Sequence, residues 1–273
     1  MKLFLFLVSL FFAGECAFAE TATLPFDHSE WDRFLRKYVN EKGEVDYTRA
    51  RGDLVLLDTY FEKLRRIPHK EFKQWPREER LAVFINAYNA AVVRLVLRHY
   101  PVERVLNIPG FWDQGAVQIG DGAASSTYNL NKILHEVLRG GFRDEKVLFA
   151  LSSGAKGSPR LRPEAYVGRR LEGQLYGAVK DFVNDMTKNR IKPGEKKIVI
   201  SRLFKWYSKD FLLNWGNFPE DIRWNPEEMA ALSFLVHYLD DPAKVKYMKE
   251  AQYKVQYESF DWSLNDQSSK SKK

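Results

Sequence analysis

The stretch from Glu79 to His99 constrains the fold of this chain more than any other. Its centre, Leu81-Ala82-Val83-Phe84-Ile85-Asn86-Ala87-Tyr88-Asn89-Ala90-Ala91-Val92-Val93, is apolar nearly all the way round. In a helix, that pattern means burial on every side. Asn86, Asn89, Arg94 and Arg98 argue against a membrane span, and Pro101 stops the helix. Asn86 and Asn89 stand three apart and share a face. Buried amides need hydrogen-bond partners, so the pair either ties down a neighbouring loop's backbone or lines a pocket.

The first 19 residues read as a secretory signal rather than as part of the fold. Lys2 gives the positive start, Leu3 to Ala13 the apolar run, and Ala17-Phe18-Ala19 the cleavage site. The apolar run is short for a transmembrane helix, and Glu15 before Cys16 speaks against lipid attachment. The expected mature protein is exported, periplasmic or extracellular, and not transmembrane after cleavage. Cys16 is the lone cysteine, so the mature chain carries no disulfide, no thiolate nucleophile and no cysteine-ligated metal. After the first 19, 254 of the 273 residues remain, enough to bury a full core. No low-complexity linker divides them, so residues 20–266 read as a single domain.

The net charge of +7 survives cleavage, because Lys2 and Glu15 cancel. Lys270, Lys272 and Lys273 lie in a polar tail, 267–273, which reads as disordered. The body is only mildly basic and has no basic stripe, which excludes nucleic acid as a partner. An anionic cell-envelope ligand stays open.

Helical periodicity places one helix over Trp31, Phe34, Leu35, Tyr38 and Val39, started by Ser29, and another over Leu54 to Leu64. A third runs from the Arg160–Tyr166 region through Val183. Asn225-Pro226-Glu227-Glu228 is a strong helix start. Val117 to Ile119 leading into Gly120-Asp121-Gly122 reads as a hairpin. Lys196 to Ile200 and Tyr253 to Tyr257 read as strands, and Val45 to Tyr47 as a brief extended segment. The expected class is α+β: a mainly helical single domain with a small antiparallel or mixed sheet.

One pair of segments looks chemical. Asn129 caps a helix carrying His135, with Arg139 four residues on and on the same face. The apolar run Val147-Leu148-Phe149-Ala150-Leu151 then reads as a buried strand entering the loop Ser152-Ser153-Gly154-Ala155-Lys156-Gly157-Ser158-Pro159. An imidazole near a strand end rich in hydroxyls and glycines is where an active site would sit.

In this order, the segments resemble the bacterial and plant "domain of unknown function 547" family. The matches are Phe84-Ile85-Asn86-Ala87-Tyr88-Asn89-Ala90, His99-Tyr100-Pro101-Val102 and Ile133-Leu134-His135-Glu136-Val137-Leu138-Arg139. They continue with Phe149-Ala150-Leu151, Leu161-Arg162-Pro163-Glu164-Ala165-Tyr166, Phe204 to Phe211 and Asp261-Trp262-Ser263-Leu264-Asn265. The resemblance implies cysteines where this chain has Ser153 and Ser158, and a glutamate where it has Leu134. A histidine beside a cysteine implies a papain-like or transglutaminase-like thiol enzyme. On that reading the site here has lost both thiols and the acid.

Two functions from different classes follow. In the first, the protein binds a ligand or partner without turnover. His135 and Arg139 grip an anionic group, Lys156 and Arg162 add positive charge, Asn86 and Asn89 line the pocket, and the serine loop forms a backbone anion nest. In the second, it is a serine-dependent hydrolase or acyl/peptidyl transferase in which His135 activates Ser153 or Ser158 and loop N–H groups hold the oxyanion. A hydroxyl needs an oriented base, and with Leu134 beside the histidine the orienting group has to come from Glu136, from Asn86 or Asn89, or from further away. His28, His69, His99 and His237 show no metal-ligand spacing, and Gly154 to Ser158 lacks the spacing of a phosphate loop, so neither a metal nor a cofactor is expected.

Overall fold

The computed structural model describes residues 26–122, 125–215, 224–250 and 252–270; the expected signal segment, 1–19, lies outside them. The N-terminal helices are α1 (Ser29–Tyr38), α2 (Tyr47–Ala50), α3 (Val55–Arg65), α4 (His69–Phe72) and α5 (Arg77–His99). Next come strands β1 (Gly115–Ile119) and β2 (Ser126–Asn129), a π-helix (Lys132–Phe142), a 3-10 helix (Glu145–Ala150) and α6 (Leu171–Asn184). The C-terminal part holds β3 (Lys197–Ile200), α7 (Leu203–Trp206), α8 (Ser208–Trp215), α9 (Pro226–Tyr238), α10 (Pro242–Glu250) and β4 (Lys254–Tyr257).

Helix α5 is the centre that its sequence requires. Every residue from Leu81 to Val93 is buried, and α3, β1 and the π-helix pack around it. By length and composition it could cross a membrane, yet 89% of its most apolar window is buried inside the protein. The same core continues through Phe149, Phe182, Phe204, Phe211 and Phe234, with Phe149 stacked on Phe234 at 5.2 Å. The protein is α+β and mainly helical. Its strands form two separate pairs among the described residues: β1 with β2 antiparallel, and β3 with β4 parallel.

The helix expected from the Arg160–Tyr166 region begins only at Leu171, and three further segments differ from the sequence reading. The apolar run after the histidine helix is no strand: up to Ala150 it coils as the 3-10 helix. The Asp144 side chain accepts from Lys146 N at 3.1 Å and its carbonyl from Val147 N at 3.1 Å. A run that is apolar at every position fits any element buried on all sides. The histidine helix is π rather than α, with Arg143 N bonded to Leu138 O five residues back at 3.3 Å. The Asn129 side chain accepts from Lys132 N at its start, at 2.7 Å. Near its end, a Cβ at Gly140 would sit 3.1 Å from His135 O. Finally, the ordered chain passes residue 266. Gln267 donates to Tyr38 O and Glu44 O, and Gln267–Lys270 forms a 3-10 turn, so the expected disordered tail does not begin at 267.

Candidate functional site

Asn86 and Asn89 point from α5 into two loops, and both are spent there. The Asn86 amide donates to Tyr166 O (2.7 Å) and accepts from Tyr166 N (3.0 Å). Asn89 does the same between Ala150 O and Ser152 N, each at 2.9 Å. Each side chain thus imitates a strand neighbour for an irregular segment. Asn89 fixes the serine loop from behind and Asn86 the segment at Tyr166; among the described residues their amides serve backbone rather than the cleft, in place of the binding role in the sequence reading.

The front of the loop is held by the C-terminal segment. Lys156 N donates to Ser263 O and Gly157 N to Asp261 O, both at 2.8 Å, while Asn265 N donates to Gly154 O at 2.8 Å. Ser158 N is bonded to Ala155 O, and Ser153 N to Ser158 Oγ. With Ser152 N on Asn89, these loop amides are all engaged. The amides of Ser152, Ser153, Lys156, Gly157 and Ser158 are therefore not free to form the expected anion nest or oxyanion hole. Gly154 makes the bend with φ +75, and a Cβ there would press on Val92 and Val105.

The two candidate nucleophiles face each other. Ser158 Oγ donates to Ala155 O at 2.7 Å, which leaves it as the acceptor for Ser153 Oγ at 2.8 Å. Ser158 is buried, and its proton is committed to a carbonyl. Ser153 keeps its own lone pairs free. Neither hydroxyl is hydrogen-bonded to His135.

His135 bonds elsewhere. On a π-helix, four residues is close to a full turn, and Arg139 Nη1 meets His135 Nδ1 at 2.6 Å. A guanidinium only donates, so Nδ1 accepts and the neutral ring carries its proton on Nε2. Partial burial first, and the Arg139 charge second, hold the imidazole pKa below its usual value. Arg139 also grips Asp210 with two bonds, Nε–Oδ2 at 2.6 Å and Nη2–Oδ1 at 2.9 Å. It lies over the Tyr207 ring at 4.6 Å. Its charge is neutralised by Asp210, so the anion grip expected of His135 with Arg139 does not form.

His135 and Ser153 nevertheless line one open cleft of about 240 Å³. Its walls are aromatic: Trp112, Trp206, Tyr207, Phe260 and Trp262, above Tyr88 of α5. Phe260 and Trp262 lie 4.4 Å apart, Trp206 lies 5.9 Å from Trp262, and Trp112 closes on Trp262 edge-on at 6.4 Å. Among the described residues, no carboxylate, lysine or arginine lines it. The sequence reading missed these aromatics as a site. The signal for them was that Trp206, Tyr207 and Trp262 fall in family-like motifs. Lys156 and Arg162 are elsewhere. Lys156 lines a separate groove with Lys188 and Asp261, and Arg162 is bonded to Glu164 at 2.6 Å. Among the described residues, no group of three His, Cys, Asp or Glu side chains converges as a metal site would require.

No curated protein and no solved structure matches this chain. A family model described as "Protein of unknown function, DUF547" matches residues 72–183. That span carries α5, the π-helix with His135 and the whole serine loop, while four of the cleft's aromatic walls, Trp206, Tyr207, Phe260 and Trp262, lie beyond it. Residues 72–183 of the chain thus match this family of unknown function.

Proposed function

We propose that this is an exported, ligand-binding member of the family, whose aromatic cleft holds a neutral sugar ring without turning it over. One observation carries the reading: the direction of the hydrogen bond between Arg139 and His135. It leaves Nε2 as a donor, whereas a serine nucleophile needs an imidazole nitrogen that accepts its proton. Ser158 gives its own proton to Ala155 O, which removes the second candidate.

The cleft's chemistry supports the ligand class. Indole faces attract the C–H faces of a sugar through their quadrupole, and an uncharged lining makes no demand for an ionised ligand. His135 Nε2–H and the Ser153 lone pairs supply the few oriented polar contacts that binding sites of this kind use. Export rests on the leader pattern of residues 1–19, which would bring the protein to envelope or extracellular glycans.

Two measurements test this. A fluorophosphonate probe is expected to leave the wild type unlabelled; labelling that disappears in both His135→Ala and Ser153→Ala would overturn the binding reading in favour of a serine enzyme. Titration with neutral oligosaccharides is expected to change tryptophan fluorescence, with Trp206→Ala and Trp262→Ala each weakening binding. An unchanged spectrum across a panel of neutral glycans would remove the sugar assignment.

A further inference from the structure

On the other side of the π-helix lies a second cavity of about 450 Å³, and its chemistry is the opposite of the first. It is enclosed by α4, the first turns of α5, the β1–β2 hairpin and the end of the π-helix. Lys73, Arg77 and Arg80 line it, and no carboxylate among the described residues does. Its floor is apolar: Phe84 packs against Phe72 at 5.7 Å, Tyr128 at 5.6 Å and Phe142 at 6.2 Å.

The arginines are differently employed. Arg77 donates to Phe142 O at 2.9 Å and stands 4.0 Å from Asp144. The Arg80 side chain has no hydrogen bond or ion pair among the described residues, and its Nε is buried without a partner. Both guanidiniums lie against the one Phe142 ring, at 5.6 and 5.8 Å from its centroid. Two like charges sharing a ring, one of them with a buried unpaired N–H, form an arrangement that an anion would relieve. The volume suits a small molecule, and the floor suits a hydrocarbon.

We propose that this cavity binds an amphipathic anion: an aliphatic chain ending in a phosphate or carboxylate, with the acidic head on Arg80, Arg77 and Lys73 and the chain over Phe84, Phe72 and Tyr128. The site is separate from the aromatic cleft and does not depend on what that cleft holds.

The test is calorimetric titration of the full chain with dodecyl phosphate and with dodecanoate, each kept below its micelle concentration. Dodecyl maltoside serves as the uncharged chain and inorganic phosphate as the head alone. The expected result is saturable binding of the two anionic chains, weaker binding of phosphate and none of the maltoside. Arg80→Gln is expected to weaken the anionic chains by about tenfold or more, and Arg80→Lys to weaken them less. Should Arg80→Gln not fold, Val137→Trp fills the cavity without removing a charge and is expected to abolish binding. Equal binding of dodecyl maltoside, or retained affinity in Arg80→Gln and Val137→Trp, would overturn the proposal. Sedimentation with phosphatidylglycerol vesicles, without uptake of either soluble anion, would also overturn it and point to a membrane surface instead.

Discussion

Ser153 and Ser158 illustrate how much one hydrogen-bond direction decides. The Ser158 proton goes to Ala155 O, so the 2.8 Å contact between the two hydroxyls must be made by the Ser153 proton. Replacing both oxygens by sulfur lengthens each bond to Cβ and closes that gap towards the roughly 2.05 Å of a disulfide. The double variant Ser153→Cys/Ser158→Cys is therefore expected to oxidise spontaneously to an intramolecular disulfide. Intact mass should show the loss of two hydrogens, and the oxidised form should be about 2 kcal/mol more stable than the reduced one for so short a loop. Two thiols that stay free under air would mean that the side chains point apart, and would reopen Ser153 as a partner for His135.

At the scale of elements, α5 acts on the serine loop through Asn89. Asn89→Ala leaves Ala150 O and the Ser152 N–H without partners in a buried place, at a cost of about 2–4 kcal/mol. Urea unfolding should show a lower midpoint with an unchanged slope. Asn89→Asp keeps the acceptor for Ser152 N but turns a carboxylate oxygen towards Ala150 O, so it should fall below wild type as well. This tie was readable in outline, because a buried amide on an apolar helix must find partners, and irregular backbone nearby offers them. Helix α5 was legible for the same reason: thirteen residues without a polar face leave one solution. The β1–β2 turn was legible from its glycines, which adopt φ +97 and +58 at Gly120 and Gly122.

Other elements were not legible, for physical reasons. An unbroken apolar run such as Val147–Leu151 has no period, so it gave no means of separating a strand from a 3-10 helix. Nothing local distinguishes i→i+5 from i→i+4 bonding at Lys132–Phe142, and that difference sets the 2.6 Å contact between His135 and Arg139. The aromatic cleft was invisible because its walls come from residues 112, 206–207 and 260–262 and meet only through tertiary packing. Asp210, which takes the charge of Arg139, lies 71 residues from it.

Over the whole molecule, a buried network ties the N-terminal region to the core. His28 Nδ1 receives the Tyr60 hydroxyl of α3 at 2.8 Å and the Asn86 amide of α5 at 3.2 Å, and Asn86 in turn holds Tyr166. With Nδ1 accepting, the neutral ring's proton sits on Nε2, which is buried without a partner. Burial pushes the His28 pKa down from 6.5 to about 3. A histidine depressed in this way stays neutral in the folded protein while the unfolded chain takes up a proton. Above the unfolded value neither form is protonated, and stability does not depend on this group. Below it, each pH unit lowers stability by about 1.4 kcal/mol until the folded value is reached. His135 is depressed in the same direction but is more exposed, so its share is smaller. Asp27, held at about 2 chiefly by its hydrogen bond to Lys63, loses its contribution only in more acid solution. Over the interval from about pH 6 to about pH 4.5 Asp27 keeps its contribution, and comparison of the wild type with His28→Gln separates His28 from carboxyls such as Glu79, whose pKa burial raises. Urea unfolding across that interval should show stability falling steeply in the wild type. His28→Gln should be less stable at neutral pH and have a much flatter profile. A variant that keeps the wild-type slope would mean that His28 is not the residue excluding the proton, and that the network does not couple the N-terminal region to acid.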